Sequence, residues 1–157
     1  MDFSACELSA LGADRCQFLI STNPGHSVKP LKEVASGGEL SRIMLVLKKA
    51  LRERTGVNVL VFDEVDSGVS GGVARAVGEK LKALAQCSQV ICITHLPQVA
   101  SLADHHLLVE KSGRKFTTSV VREIKGEERV QEIARMLAGY KITKASRQSA
   151  VELLASK

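Results

Sequence analysis

Val57-Asn58-Val59-Leu60-Val61-Phe62-Asp63-Glu64 is the stretch that decides the fold. A short, almost wholly apolar run rich in β-branched residues suits a central strand of a parallel sheet, buried on both faces. Open sheets of this kind bind ligands at the carboxyl ends of their strands, and Asp63-Glu64 stands at that edge. One carboxylate there can hold a hard cation such as Mg²⁺, directly or through water. The next can accept a proton from an attacking water. Taken alone, two acids after a strand also suit the start of a polar loop.

Upstream, the spacing predicts a helix from Gly37, with Leu40, Ile43, Met44, Leu47 and Leu51 on the i, i+3, i+4, i+7 template and an end near Thr55-Gly56. Ser36 and Glu39 have capping-box spacing. Gly37 and Gly38 expose backbone N–H groups at the helix N-terminus, where the dipole favours an anion such as phosphate. A capped helix with a flexible entrance has the same pattern. Downstream, Ser67 to Gly72 is a glycine-rich loop, and Val73, Val77, Leu81 and Leu84 mark a second amphipathic helix. Val90-Ile91-Cys92-Ile93-Thr94 is another buried strand, followed by His95, which can donate to a phosphate oxygen, order a water or serve a purely structural purpose. Leu96-Pro97 opens a short helix.

Farther out, Cys16-Gln17-Phe18-Leu19-Ile20 reads as a strand stopped by Asn23-Pro24-Gly25. Residues 1 to 14 show weak periodicity, and a loop is expected from Pro30 to Ala35. His105 to Glu110 and Phe116 to Glu123 form a hairpin around Ser112-Gly113. Glu127 to Ala138 is a helix, with acids in its first turn and Gly139 past its end. Lys144 to Ala155 is the last helix. The expectation is an α/β fold, residues 1–157 as one domain, with a mostly parallel sheet flanked by helices, a β-hairpin and C-terminal helices.

Composition narrows the function classes. A net charge of +5 suits an anionic partner and equally a solvated surface. No Trp and one Tyr make stacking on nucleic-acid bases a poor candidate for the main activity. Cys6, Cys16, Cys87 and Cys92 contain no C-x-x-C pair, so they read as free thiols of a reducing, intracellular compartment. No apolar run approaches membrane-spanning length, and Met1-Asp2-Phe3-Ser4 does not begin a secretory signal. A cytoplasmic location with no membrane partner is expected. Asp104-His105-His106 suggests a metal, but neighbours on a strand face opposite sides and seldom share one ion. Lys141, Lys144 and Arg147 can touch DNA phosphates or line a solvated helix face.

The order of Ser36-Gly37-Gly38-Glu39, the strand ending in Asp63-Glu64, and His95 resembles the C-terminal part of an ABC-type ATPase head: signature loop, Walker B strand, catalytic Glu, D-loop and switch His. Transporters usually place Pro after the catalytic Glu. Val65-Asp66 here is similar to the SMC-like, DNA-repair branch. Phe18 to Gly25, Val34 to Arg42, Phe62 to Gly71 and Ile93 to Ala100 resemble the RecN family, and the likeness runs from about Leu11 to Leu154. It departs at the D-loop, where Ser67-Gly68-Val69-Ser70-Gly71 replaces the SMC pattern Ala-Leu-Asp.

The resemblance implies roles by position. Ser36, Gly37, Gly38 and Glu39 would form the signature loop that meets the γ-phosphate of ATP on a partner head. Asp63 would help hold Mg²⁺, Glu64 would polarise water, and His95 would sense the γ-phosphate. Ser67 and Gly68 would lie across the head–head interface. It further implies recombinational repair of broken DNA by a nucleoid-associated protein with heads on a coiled coil. The chain has neither G-x-x-x-x-G-K-[ST] nor long heptads. It is therefore expected to be an excised fragment, inactive toward ATP alone. Its expected partners are the N-terminal half of its head, a second head in a homodimer and, through the full-length protein, DNA. Two other readings stay open: half of a transporter's nucleotide-binding domain, and a binding module without turnover.

Overall fold

The computed structural model describes residues 1–10, 12–21, 25, 27–34, 36–51, 59–112, 118–139 and 141–156. In chain order the elements are β1 (Asp2–Ser9), β2 (Gly12–Gln17), β3 (Leu19–Ile20), β4 (Lys29–Pro30), α1 (Leu31–Val34), α2 (Gly37–Leu51) and β5 (Val59–Phe62). They continue with α3 (Gly71–Ala85), β6 (Gln89–Cys92), α4 (Pro97–Ala100), β7 (His106–Ser112), β8 (Thr118–Ile124), α5 (Gly126–Ala138) and α6 (Lys144–Ala155).

The two apolar runs pair in parallel, β5 with β6, in the register Val59↔Gln89 to Phe62↔Cys92. A parallel pair needs a crossover, and α3 supplies it. Its buried residues, Ala74, Val77, Gly78, Leu81 and Leu84, recur at helical spacing. Ala74, Val77, Leu81 and Leu84 join Phe62, Val65, Leu45 and Val99 in the main apolar cluster, with Leu60, Val90 and Cys92 against it. Burying a side chain such as Leu84, 2% exposed, is worth about 1.5–3 kcal/mol. Gly78 has a packing reason: a Cβ there would lie 2.7 Å from Leu102 Cδ1 and 3.3 Å from Val99 Cα. The missing side chain lets the segment after α4 approach α3.

The expected burial of these strands on both faces is corrected. Val59, Val61, Ile91 and Ile93 are all exposed, Val61 at 63%. The main cluster takes up the alternate residues only, and alternate residues of a strand face opposite ways. A similar correction applies to α2. Leu40, Met44 and Leu47 of the expected core stripe are exposed, and Leu45 is the buried residue. The helix is turned so that Ser41, Arg42 and Leu45 face inward, toward the loop after β5.

The expected strand Cys16 to Ile20 breaks at Phe18 and does not join the parallel pair. β2 pairs with β1 in an antiparallel hairpin, and β3 pairs with β4. Residues 1 to 14, read as weakly periodic, are thus mostly strand, but both faces of β1 are exposed. That lack of a covered face is why no alternation marked them. Part of the loop expected at Pro30 to Ala35 is the one-turn α1.

The β7–β8 hairpin forms with His106 opposite Ile124. Helices α5 and α6 close a second apolar cluster of Ala100, Ile133, Ala134 and Ala150. Gly139, at φ 72°, ends α5. Thr143 and Ser146 cap α6 reciprocally. Arg129 on α5 donates through Nη2 to the carbonyls of Ala100, Ser101 and Ala103, at 3.1, 3.2 and 2.7 Å. This guanidinium ties α5 to the end of α4.

Several sequence expectations lie outside the described residues: Leu11 at the edge of the resemblance, Asn23-Pro24 of the first turn, Ala35, the end at Thr55-Gly56 of the helix from Gly37, Val57-Asn58, Gly113 and Phe116. No helix among the described residues is long and apolar enough to cross a membrane.

Candidate functional site

The site forms where β5 and β6 end level with each other. The backbone N–H of Ile93 donates to the Phe62 carbonyl at 2.9 Å, one step beyond the last strand pair. Asp63-Glu64 and Thr94-His95 therefore leave the sheet side by side, as the parallel pairing requires.

After β5 the chain turns sharply. Glu64 has φ 56°, the left-handed region, which costs a residue with a Cβ about 1–2 kcal/mol. Its N–H donates to its neighbour Asp63 Oδ1 at 2.9 Å, and its carbonyl accepts from Ser67 N–H at 2.9 Å. Val65 and Asp66 are buried beneath the turn, at 0% and 2% exposed. Burying Val65 offsets the strain and leaves Asp63 and Glu64 on the surface. A non-glycine residue held in this region suits a functional loop.

The start of α2 closes one side. Ser36 and Glu39 form the expected capping box: the Glu39 N–H donates to Ser36 Oγ at 3.4 Å, and the Ser36 N–H to Glu39 Oε2 at 2.9 Å. These bonds from Ser36 hold the Glu39 carboxyl below the usual glutamate range. The Ser36 hydroxyl also donates to Glu39 Oε2, at 3.1 Å. Gly37 lies under the Glu64 carboxylate, where a Cβ would be 2.7 Å from Oε2. Gly38 is more enclosed: its Cβ would meet Ser67 Cβ at 2.8 Å and the Glu64 carbonyl oxygen at 2.9 Å. Close approach, rather than an unusual φ, is what requires glycine here. Gly68, at φ 69°, continues the loop in the left-handed region with open space around it.

Residues not singled out in the sequence hold this arrangement. Ser41 Oγ donates to the Asp63 carbonyl at 2.9 Å. Arg42 Nη1 donates to the carbonyls of Ser67 at 2.7 Å and Val65 at 3.3 Å. On the other side, Thr94 Oγ1 donates to Asp66 Oδ2, which also accepts from the His95 N–H at 3.1 Å. The imidazole Nδ1 stands 3.4 Å from the same oxygen, and the His95 side chain is 73% exposed. Asp66 appeared in the sequence only as part of a family pattern. Nothing local distinguishes it from Asp63 and Glu64, because its partners lie far along the chain. Burial pushes the Cys92 thiol up to about 12, and the carboxylates of Asp66 and Asp63 add to the shift.

The structure thus brings Ser36, Gly37, Gly38, Glu39, Asp63, Glu64, Ser67 and His95 into one neighbourhood. It combines exposed carboxylates, an exposed imidazole and a helix N-terminus. Such a group can hold a hard cation, orient a water and receive an anion. Other candidates stay apart from it. His105 pairs with Glu123 at 2.7 Å. His106 is half-buried, and burial together with Arg129 lowers its pKa. The two histidines occupy opposite environments, and no group of three or more metal-capable side chains occurs among the described residues. Arg147 is paired with Glu127 at 2.8 Å, so its charge is partly satisfied within the chain.

Known proteins resemble this chain in sequence and in fold. No protein-family profile matches the chain. It is 54% identical over 145 residues to the DNA repair protein RecN of Halalkalibacterium halodurans, covering 91% of this chain and 26% of that protein. It is 49% identical over 151 residues to the DNA repair protein RecN of Bacillus subtilis, covering 94% and 26%. The chain therefore spans about a quarter of the length of the curated relatives it matches. Among solved structures, the Smc head domain with a coiled coil and joint from Pyrococcus yayanosii aligns with TM-score 0.55 and 25% identity, over 73% of this chain and 24% of that one. A structure from work on ATP-driven dimerization and DNA-stimulated activation of SMC ATPases aligns with TM-score 0.51 and 20% identity, over 86% and 87%. The fold is that of an SMC ATPase head segment.

Proposed function

Since this chain belongs to the RecN family, we propose that it is the C-terminal part of an SMC-like ATPase head that hydrolyses ATP during recombinational repair of broken DNA. The observation that carries this reading is the level ending of β5 and β6, which leads Glu64 and His95 off the sheet together, with Glu64 against the capped start of α2.

Asp63 and Glu64 offer exposed carboxylate oxygens, the hard donor set that Mg²⁺ takes together with substrate phosphates. Asp63 would hold the ion, which would neutralise phosphate charge when bound. Glu64 would polarise the attacking water. The imidazole of His95 would meet the γ-phosphate. Ser36, Gly37, Gly38 and Glu39 would present a helix N-terminus to ATP on a second head, and Ser67 and Gly68 would lie between the heads.

The uncovered apolar residues support a partner from the same head. Val59, Val61, Ile91 and Ile93 on one sheet face, and Leu40, Met44 and Leu47 on α2, are exposed. An N-terminal half carrying a phosphate-cradling loop would cover such surface. DNA would be engaged by the full-length protein, in the cytoplasm on the nucleoid.

Mixing tests the reading. Mg²⁺-dependent ATP turnover is measured for this chain, for a separately made N-terminal half, and for the two together. Turnover is expected only together. Glu64→Gln should lower it by about 10²–10⁴-fold. Turnover by this chain alone, or full activity of the Glu64→Gln mixture, would sink the assignment. A stable complex without turnover would favour a binding module.

A further inference from the structure

Asp66 has no place in the chemistry assigned above, yet it is the most deeply buried acid at the site, at 2% exposed. A buried carboxylate needs donors, since leaving one unpaired costs several kcal/mol or a proton. The donors here all come from the far side of the sheet end. They are the hydroxyl of Thr94 and the backbone N–H of His95 at 3.1 Å, and the His95 ring stands beside them with Nδ1 3.4 Å away. Thr94 completes the tie, because its Oγ1 accepts from the Leu96 N–H at 3.1 Å. A single carboxylate oxygen therefore fastens three consecutive residues, directly or through one hydroxyl.

Asp66 reaches inward because of the turn at Glu64. The left-handed φ there reverses the chain, buries Val65 and drives the next side chain under the β6 end. Arg42 clamps the carbonyls on either side of Asp66, those of Val65 and Ser67. Beyond the last backbone bond between the strands, Asp66 joins the segment carrying Glu64 to the segment carrying His95.

We propose that Asp66 is a positioning residue: through Thr94 and the His95 backbone it fixes the His95 loop at a set distance from Glu64. The proposal rests on the reading of the site as an ATPase centre. It also assigns the ring's orientation. With Nδ1 turned to Asp66, Nε2 is the nitrogen left to face a ligand. Asp66 itself touches no ligand, and its effect passes through the loop it holds.

The test uses the full-length protein with Asp66→Asn, Thr94→Val, Thr94→Ser and His95→Ala. Asparagine keeps the shape but loses the charge on which two donors and the His95 ring converge. Asp66→Asn should lower kcat by about 10- to 100-fold, the cost of a small misplacement near the chemistry. KM for ATP should stay within about twofold. Thr94→Val should show part of that loss, and Thr94→Ser, which restores the hydroxyl, should recover it. In a His95→Ala background, Asp66→Asn should cause no further loss, because both act through one group. Amide hydrogen exchange supplies a readout independent of turnover: His95 and Leu96 should lose protection in Asp66→Asn while α3 and α5 keep theirs. Unchanged protection at His95, or a full multiplicative loss on top of His95→Ala, would overturn the proposal. Absence of ATP turnover in the wild type would overturn the functional reading instead, and the exchange data would still judge Asp66.

Discussion

The two faces of the β5–β6 pair are built from the same kinds of residue and live in opposite surroundings. Leu60, Phe62, Val90 and Cys92 lie against α3 and its neighbours, whereas Val59, Val61, Ile91 and Ile93 lie in the open. Alternation along a strand normally matches apolar residues to the covered face and polar ones to the open face. Here the open face is as apolar as the covered one. Those side chains suit a sheet with a layer on each side, and the described residues provide one layer. The difference teaches that stability and assembly are separable on this sheet: one face holds the segment together, and the other is available to a further part of a head.

Truncation gives the largest expected contrast. Phe62→Ala should destabilise this chain by about 3–5 kcal/mol, the usual cost of an emptied aromatic site. Val61→Ala should stay within about 0.5 kcal/mol. Urea unfolding of the two variants reads the difference, and equal losses would abolish the distinction between the faces.

Adding a methyl group sharpens the same contrast at the helix starts. Gly38 is enclosed by Ser67 and the Glu64 carbonyl, and Gly72 has nothing within 4 Å of a Cβ. Gly38→Ala should cost about 1–3 kcal/mol through overpacking. Gly72→Ala should be neutral or stabilise by up to about 1 kcal/mol, since alanine is the better helix former. Thermal unfolding midpoints that move in the same direction for both would show that the gap at Gly38 closes without strain.

The smallest effect belongs to an exposed contact. Glu39 has a carboxyl pKa lowered by its bonds from Ser36. A group whose pKa falls on folding contributes stability above its ordinary pKa and loses it as pH drops through the folded value. The start of α2 should therefore fray as pH falls below the usual glutamate range. Amide exchange at residues 36–39 would report it, and Glu39→Gln should flatten the response. A pH response that persists in that variant would assign the fraying to another group.

Much of this was legible in the sequence, and the failures have definite causes. Periodicity located α3, α5 and α6, and Lys144 to Ala155 was read with its observed bounds. Apolar runs located β5 and β6. Their half-burial could not be read, because an apolar residue looks the same whether its cover is present or absent. Helix α2 carries apolar residues over a wide arc, so the stripe Leu40, Met44, Leu47 outscored the face that Leu45 turns inward. At the site, Ser36 and Glu39 were legible because a capping box is local. Asp66, Thr94 and Arg42 were not, because their partners are 28, 28 and 25 residues away along the chain. Only folding makes them neighbours.

Arg129 gives the C-terminal helices a mechanical meaning. Its guanidinium grips the carbonyls at Ala100, Ser101 and Ala103, just beyond the segment that begins at His95. Three bonds from one planar group hold α5 against the end of α4. A tilt of α5 would therefore strain three hydrogen bonds at once, all at the end of α4.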